Sequence, residues 1–392
     1  MRKSVRILFT LLLSILFPAM HAVAGNGNGL PTDLKAGLIM ASPGNAVYTS
    51  LGHCAIRLQC PSRGFDYCYA YGMDDSWSNL LGVFAGTAKG GFFVAYTNPY
   101  LMEYADEGRG VTEYQLNLSL EQKRELWKNL DARISGCDEQ PYDYTRNSCS
   151  AMCAYIVELS LLGERIDYHD LPQSLKGSFR DELLFVARDH PWTKLFWMGM
   201  LGTNGDKRIH DPEAAMMPEP LLMSWKQASL VDSNGVARPL LVGNGRELVK
   251  PQPKMHWGFA PEWLFGMVLA IAVVLLVAER RKRWYKAGKG FDIALLAMQT
   301  LVALCVTFLE LVSKQQPAHF SFYVLIFNPL PALAFLLLRR KPKAYGKAWL
   351  AFGLVCALFI ALTPIVPQIY FTIDLVAAAF AVRCWAAYRR YS

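Results

Sequence analysis

Past residue 33, apolar and polar positions alternate in short runs, the pattern of half-buried strands. Residues 34–41 form an apolar opening run that stops at the turn Ser42-Pro43-Gly44-Asn45, and residues 46–51 lead into a second run over 50–58. A third runs through Asp66-Tyr67-Cys68-Tyr69-Ala70-Tyr71-Gly72, rich in aromatic strand formers. Residues 90–96 make a glycine-hinged aromatic run, and 111–118 another strand. The period then lengthens. Ser119 stands as the cap of a helix over 120–134, with Gln122 placed to complete a capping box and Leu126, Leu130 and Ile134 on one face. Asn147 and Ser148 stand as caps before a second helix that runs from Cys149 to Leu162. Strands and helices in this mixed order predict an α+β domain.

From residue 262 the alternation gives way to apolar stretches: 262–278, 291–312, 320–338, 348–366 and 368–387. Each approaches the roughly 20 residues a helix needs to cross a bilayer. An all-α bundle of about five transmembrane helices therefore follows the α+β domain. Arg280, Arg281, Lys282, Arg283, Lys286 and Lys289 follow the first stretch; Arg339, Arg340, Lys341, Lys343 and Lys347 follow the third; Arg389 and Arg390 end the chain. The intervening loops carry only Lys314 or no basic residue. By the positive-inside rule, the α+β domain is external and the C-terminus cytoplasmic. Trp257, Trp263, Trp284 and Trp385 sit near stretch ends, where interfacial anchors belong. The beginning of the chain agrees. Arg2, Lys3 and Arg6 precede an apolar core over 7–17, and Ala22-Val23-Ala24 supplies a small-residue cleavage site, so 1–24 reads as a secretory signal rather than an uncleaved anchor. The expected organisation is a signal peptide (1–24), an external domain (25–255) and a transmembrane domain (256–392).

Topology also accounts for the charge. The formal net charge is +8, but much of the basic excess lies in the loops assigned to the cytoplasm, so no nucleic-acid partner is implied. The nine cysteines divide by compartment. Cys305, Cys356 and Cys384 fall in spans as small apolar fillers. Cys54, Cys60, Cys68, Cys137, Cys149 and Cys153 fall in the external domain, where disulfides persist. Cys60 with Cys68 is the expected pair across a turn holding Pro61 and Gly64, and Cys137 with Cys153 the second, although spacing alone does not fix connectivity. No pair has zinc-ribbon spacing, so no metal is expected.

Two segments carry candidate chemistry. Ser50-Leu51-Gly52-His53-Cys54-Ala55-Ile56-Arg57-Leu58 puts a histidine on a strand, and Asn147-Ser148-Cys149-Ser150 puts a cysteine in the first turn of a helix. A thiol there meets backbone N–H groups and the positive end of the helix dipole, both of which favour the thiolate. An imidazole folded against it makes a Cys–His nucleophile pair. Taken singly, each residue has a plainer account: Cys149 as half of a disulfide, His53 as a satisfied core histidine.

The core Gly52-His53-Cys54-Ala55-Ile56-Arg57 resembles the opening motif of the bacterial Lnb family. Residues 66–72, Phe84-Ala85-Gly86, Gly108-Arg109-Gly110-Val111 and 142–149 follow in that family's order. Leu201-Gly202 with Asp206, Met217-Pro218, and Pro220-Leu221-Leu222 resemble its later external elements. The Ser313…His319 loop and Asn328-Pro329-Leu330-Pro331 resemble parts of its bundle. Each motif is short, and their order supplies the specificity. Two departures stand out: Ser148 occupies the place of an asparagine directly before the cysteine, with Asn147 one step earlier, and Cys54 adjoins the histidine. The resemblance implies a permuted papain-like external domain, with histidine before cysteine, in a lipoprotein N-acyltransferase of the bacterial inner membrane whose catalytic domain is periplasmic. It implies that Cys149 and His53 are the catalytic residues. The partners it implies are a phospholipid acyl donor, a diacylated lipoprotein acceptor and membrane lipids, with no cofactor.

Further candidates follow from position. Asp66, on the strand after His53, is the acidic residue to orient the imidazole; a strand-end surface carboxylate is the alternative. Arg57 shares His53's strand face and could meet a lipid phosphate, or form an exposed ion pair. Tyr71 and Asn147 are further substrate-contact candidates. The apolar segment 191–201 is too short to span, and lies in the interface or in the core. Glu310 and Asp374 are acids inside spans, with Lys314 and Arg383 as possible partners, and His319 lies in an external loop. Two other functions fit the same residues: a membrane-anchored Cys/His amidase or peptidase of the envelope, and a non-catalytic assembly protein whose cysteines are all structural.

Overall fold

A computed structural model of the protein describes residues 32–46, 49–73, 76–142, 147–168, 177–207, 217–252 and 259–392. The signal expected over 1–24 lies outside the described residues.

The alternating runs become β1 (Lys35–Ala41), β2 (His53–Cys60) and β3 (Phe65–Gly72). α1 (Trp77–Ala85) leads to β4 (Lys89–Tyr96), and α2 (Thr97–Asp106) to β5 (Val111–Leu116). α3 (Leu120–Ser135) carries the expected capping box: the Gln122 N–H donates to Ser119 Oγ, and the Ser119 N–H to Gln122 Oε1. The short β6 (Gln140–Pro141) precedes α4 (Cys149–Leu159). β7 (Arg165–Asp167), α5 (Phe179–Val186), α6 (Pro191–Met200), α7 (Pro218–Gln227), β8 (Ser229–Val231), β9 (Ala237–Pro239) and β10 (Leu241–Val249) complete the domain. Seven strands form one antiparallel sheet in the order β10-β5-β1-β2-β3-β4-β6, and β7-β8-β9 form a smaller one.

β2 lies centrally, and its alternating side chains feed two cores. Cys54, Ile56 and Leu58 pack with Leu126 and Leu130 of α3, Cys153 and Ile156 of α4, and Trp225 of α7. Ala55 faces the other way, with Ile39, Cys68, Tyr100 and Tyr104 under α2. Fully burying one leucine or isoleucine contributes about 1.5–3 kcal/mol, against about 1 kcal/mol for a helix cap. Packing on the sheet therefore outweighs capping in holding α3 and α4.

The two faces overturn the expected disulfides. Cys60 sits opposite Phe65, and Cys68 opposite Arg57, so the thiols project from opposite sides of the sheet. Cys60 donates instead to Asp33 Oδ1 at 3.2 Å, and Cys68 contacts Thr97 Oγ1. Cys137 is exposed while Cys153 is buried against the sheet. All nine cysteines are free thiols.

The C-terminal region is helical: α8 (Pro261–Ala278), α9 (Tyr285–Leu311), α10 (Leu330–Leu338), α11 (Pro342–Leu362) and α12 (Thr372–Tyr391). Among the described residues, three helices are long and apolar enough to cross a membrane: Pro261–Ala278, Lys282–Leu311 and Pro342–Leu362. The stretch 320–338 is not one continuous helix. A 3-10 turn over Phe322–Leu325 is separated from α10 by Asn328 and Pro329, and the Asn328 side chain turns the chain by donating to Val324 O and accepting from the Leu330 N–H. α12 has the length of a span but holds Asp374, Arg383, Arg389 and Arg390. Arg383 donates to Glu279 and to Asp292, and Arg390 pairs with the same two acids. Asp374 therefore does not pair with Arg383; it accepts from Thr363 Oγ1 at 2.7 Å. Glu310 accepts the N–H groups of Phe320 and Ser321 rather than meeting Lys314.

Domain and bundle are joined at the loop that follows α9. The Lys314 N–H donates to Ala85 O at 3.0 Å, and Gln315 Nε2 donates to both Val83 O and Tyr142 O. Gly86 makes this approach possible: its φ is +67, and a Cβ there would lie 2.8 Å from Gln315 N. The Gly202 N–H donates to Pro317 O, and the Thr203 N–H to Phe320 O, placing that loop of the domain against the backbone around His319. His319 itself contacts Ser313 O through Nε2. Asp206 accepts from Arg180 Nε and from Gln368 Nε2, one partner on each side of the joint. α6 lies in this joint with Trp197, Met198 and Met200 buried and Leu195 against the bundle core, which is the packed one of the two alternatives for 191–201.

Candidate active site

Cys149 is the first residue of α4. Ser148 caps the helix, its side chain accepting from the Ala151 N–H at 3.2 Å, while Asn147 Nδ2 donates to Pro141 O at 3.1 Å. Of the two expected caps, only Ser148 caps; Asn147 fastens the approaching chain to β6. The helix lies across β2 and β3, which brings its start to the end of β2 where His53 stands opposite Ala41. Gly52 delivers that histidine. Its φ of +84 belongs to the left-handed region, and a Cβ would come within 3.1 Å of Ala41 O.

The Cys149 thiol lies in one buried cluster with Cys54 and Cys153, at the end of β2 that begins with His53. The Cys54 hydrogen bond, together with the charge and hydrogen bond of His53, holds the Cys149 thiol well below the usual range, against burial that pushes it up. Burial pushes the Cys54 thiol up, so Cys54 keeps its proton and donates it; its other neighbour is Cys153. Backbone N–H groups in the first turn of α4, which a helix does not itself satisfy, supply the place for a developing oxyanion. Cys149 is 8 % exposed.

The structure brings His53 and Cys149 together and leaves Asp66 and Arg57 apart from them. Asp66 stands opposite Gln59, six positions along β2 from His53, which is about 20 Å at the rise of a strand. Its carboxylate accepts from Arg57 Nε at 2.8 Å, Arg57 Nη2 at 2.6 Å, Gln59 Nε2 at 2.9 Å and Thr97 Oγ1 at 2.6 Å. Asp66 is therefore not the orienter of the imidazole. Arg57 is buried and also meets Glu113 at 3.0 Å, so it neither ion-pairs at the surface nor reaches a lipid phosphate.

Tyr71 lies on the site's side of the sheet, stacked on Tyr142 with ring centroids 6.3 Å apart and edge-on to Phe92 at 5.3 Å. Burial pushes its hydroxyl up to about 12, and the hydroxyl has no hydrogen-bond partner among the described residues. The motif alone did not single out Cys54 as a neighbour of Cys149. Strand alternation was the available signal, because it turns Cys54 toward the face that α4 covers.

Residues 30–178 match the Lnb N-terminal periplasmic domain, and residues 253–391 match the Lnb transmembrane domain. The chain belongs to the Lnb family. Comparison with curated proteins and with solved structures gives no match. His53 and Cys149 fall within the first matched stretch of this Lnb membrane protein. An apolar cluster links their surroundings to the second. Leu51, two residues before His53, and Tyr142, on the chain leading to Cys149, pack into a cluster that includes Met217, Phe84, Leu309 and Ala318. Leu309 lies on α9 and Ala318 in the loop that follows it.

Proposed function

We propose that this Lnb-family protein is a lipoprotein N-acyltransferase that uses Cys149 as nucleophile and His53 as base. The observation that carries the proposal is a thiolate-favouring cysteine at a helix start, beside a histidine, with apolar packing continuous from the site to the membrane helices. Cys149 sulfur attacks the ester carbonyl of a phospholipid, the first-turn amides of α4 receive the oxyanion, and the lysophospholipid alkoxide leaves with a proton from His53. The resulting thioester is reactive enough for aminolysis without further activation. The α-amine of a diacylglyceryl-cysteine lipoprotein then attacks it, His53 takes the amine proton, and Cys149 is released. In this reading the catalytic domain is periplasmic, the membrane is the inner one and the C-terminus is cytoplasmic.

The test is mass spectrometry of lipoprotein N-terminal peptides from cells lacking any other N-acylating enzyme. Triacylated peptides with the intact chain and diacylated ones with Cys149→Ala are expected. Diacylated peptides in both, with the protein present in membranes, would overturn the reading and favour an amidase or a structural role.

A further inference from the structure

Cys54 adjoins the site but has no part in the acyl-transfer steps. It is fully buried on the centre of the sheet, in the cluster that also holds Cys149 and Cys153 of α4. Cys149 presents two further features. Cys54 and His53 both favour its thiolate, and it sits at a helix start, 8 % exposed. A stabilised thiolate at a helix start, with a second thiol packed in the same cluster, is the arrangement of cysteines that oxidise reversibly. Without a second thiol, oxidation of such a sulfur continues to the sulfinic acid, which is irreversible for most proteins.

We propose that Cys149 is an oxidation site for hydrogen peroxide and that Cys54 is its resolving thiol, closing a Cys54–Cys149 disulfide. Cys149 thiolate attacks one peroxide oxygen, the O–O bond breaks, and the departing hydroxide takes a proton from His53 to leave as water. The sulfur, now a sulfenic acid, has lost two electrons to the peroxide. Cys54 sulfur then attacks Cys149 sulfur, an S–S bond forms, and the hydroxide expelled from Cys149 leaves as a second water with the Cys54 proton. Two thiols and one peroxide give one disulfide and two waters. The packing of α4 on β2 makes the second step local, since both thiols lie in the cluster between them. A dithiol reductant reverses the disulfide by exchange and returns both thiols. The consequence is protection: the nucleophile is held in a recoverable form while peroxide is present.

This inference goes beyond acyl transfer, and its readout is chemical rather than catalytic, so it stands or falls separately from the proposed activity. The full-length protein, purified in detergent, is treated with peroxide and digested without reduction. The expected product is a Cys54–Cys149 linked peptide pair that disappears on dithiothreitol treatment, with no sulfinic acid at Cys149. Cys54→Ala and Cys54→Ser should instead accumulate sulfinic acid at Cys149 under the same exposure, and Cys153→Ala should still form the linked pair. Trapping by dimedone gives a second measure on the unaltered chain, with Cys149 labelled when the reagent is present during oxidation. Sulfinic acid forming at Cys149 as readily in the unaltered chain as in the Cys54 variants would overturn the proposal. So would a Cys54–Cys153 link that leaves Cys149 free.

Discussion

Asp66→Asn separates a structural carboxylate from a catalytic one. Asp66 receives four hydrogen bonds, two of them from one guanidinium, and asparagine keeps a single acceptor oxygen while turning an amide N–H₂ toward the donors. Hydrogen bonds to charged groups are each worth about 1.5–3 kcal/mol when buried. The Asp66 side chain is 36 % exposed, and Glu113 still neutralises Arg57 after the change. Solvent screening and that remaining partner bring the expected loss to roughly 1–2 kcal/mol. At about 2–4 °C per kcal/mol for a domain of this size, the melting temperature falls by roughly 2–8 °C.

The pH dependence has a definite sign. Burial opposes ionisation of Asp66, but its hydrogen bonds from Arg57 and Thr97 prevail and hold the folded carboxyl below the ordinary 3.8. Its contribution is therefore present above about 3.8 and is lost as pH falls through the lower folded value. The gap between the two melting curves should be constant near neutrality and close in acid. Acyl transfer by folded Asp66→Asn at neutral pH should match the unaltered chain. An activity loss of about 100-fold, the scale of a disabled general base, at an unchanged melting temperature would refute the placement of Asp66 away from His53.

Three other changes probe the site and its supports. His53→Ala should slow acyl transfer by about 10²–10⁴ and move alkylation of Cys149 by iodoacetamide to higher pH, since the ring's charge and hydrogen bond favour the thiolate; an unchanged alkylation profile would refute the pairing. Gly86→Val meets both a left-handed backbone and the Lys314–Gln315 peptide, so the α1 end should lift from the bundle. That should appear as faster proteolysis near residue 86 and lost transfer with Cys149 alkylation retained. Glu182 is 2 % exposed, accepts the Met217 N–H through one oxygen and leaves the other without a partner among the described residues, and burial pushes its carboxyl well above 4.5. The folded chain then keeps a proton that the unfolded chain releases above about 4.5, so this acid lowers stability as pH rises from there. Melting of Glu182→Gln should show a shallower decline between pH 5 and 8, and an unaltered slope would refute it.

The parts legible in the sequence depend on neighbours along the chain. Alternation located β1 to β5 because one strand's faces repeat every two residues, and Ser119 with Gln122 announced α3 because a capping box closes within one turn. Cys149 was legible for the same reason: a helix start is a local event, and its amides act on the first residue. Features that depend on register were not legible. Asp66 follows His53 closely in sequence, but a hairpin places it opposite Gln59 rather than beside the histidine, and the same register puts Cys60 and Cys68 on opposite faces. The break inside the stretch 320–338 was not legible either, because Asn328 and Pro329 interrupt the helix without ending the apolar run.

The joint between domain and bundle shows the limit most directly. Gln315 binds Val83, 232 residues away in the chain, and nothing around either residue announces the other. Yet the same side chain also holds Tyr142 O, on the segment that leads to Cys149. A group in the loop after α9 thus fixes a point just upstream of Cys149, while Gly202 and Asp206 fix the loop after α6 against the same bundle. Rotation of the bundle against the domain would have to break these hydrogen bonds together, at about 0.5–1.5 kcal/mol each. Under the proposed transfer of an acyl group from a lipid to Cys149, such rigidity has a use. It keeps the thiol at one height relative to the membrane surface, and the apolar cluster through Phe84 and Leu309 fills the space between.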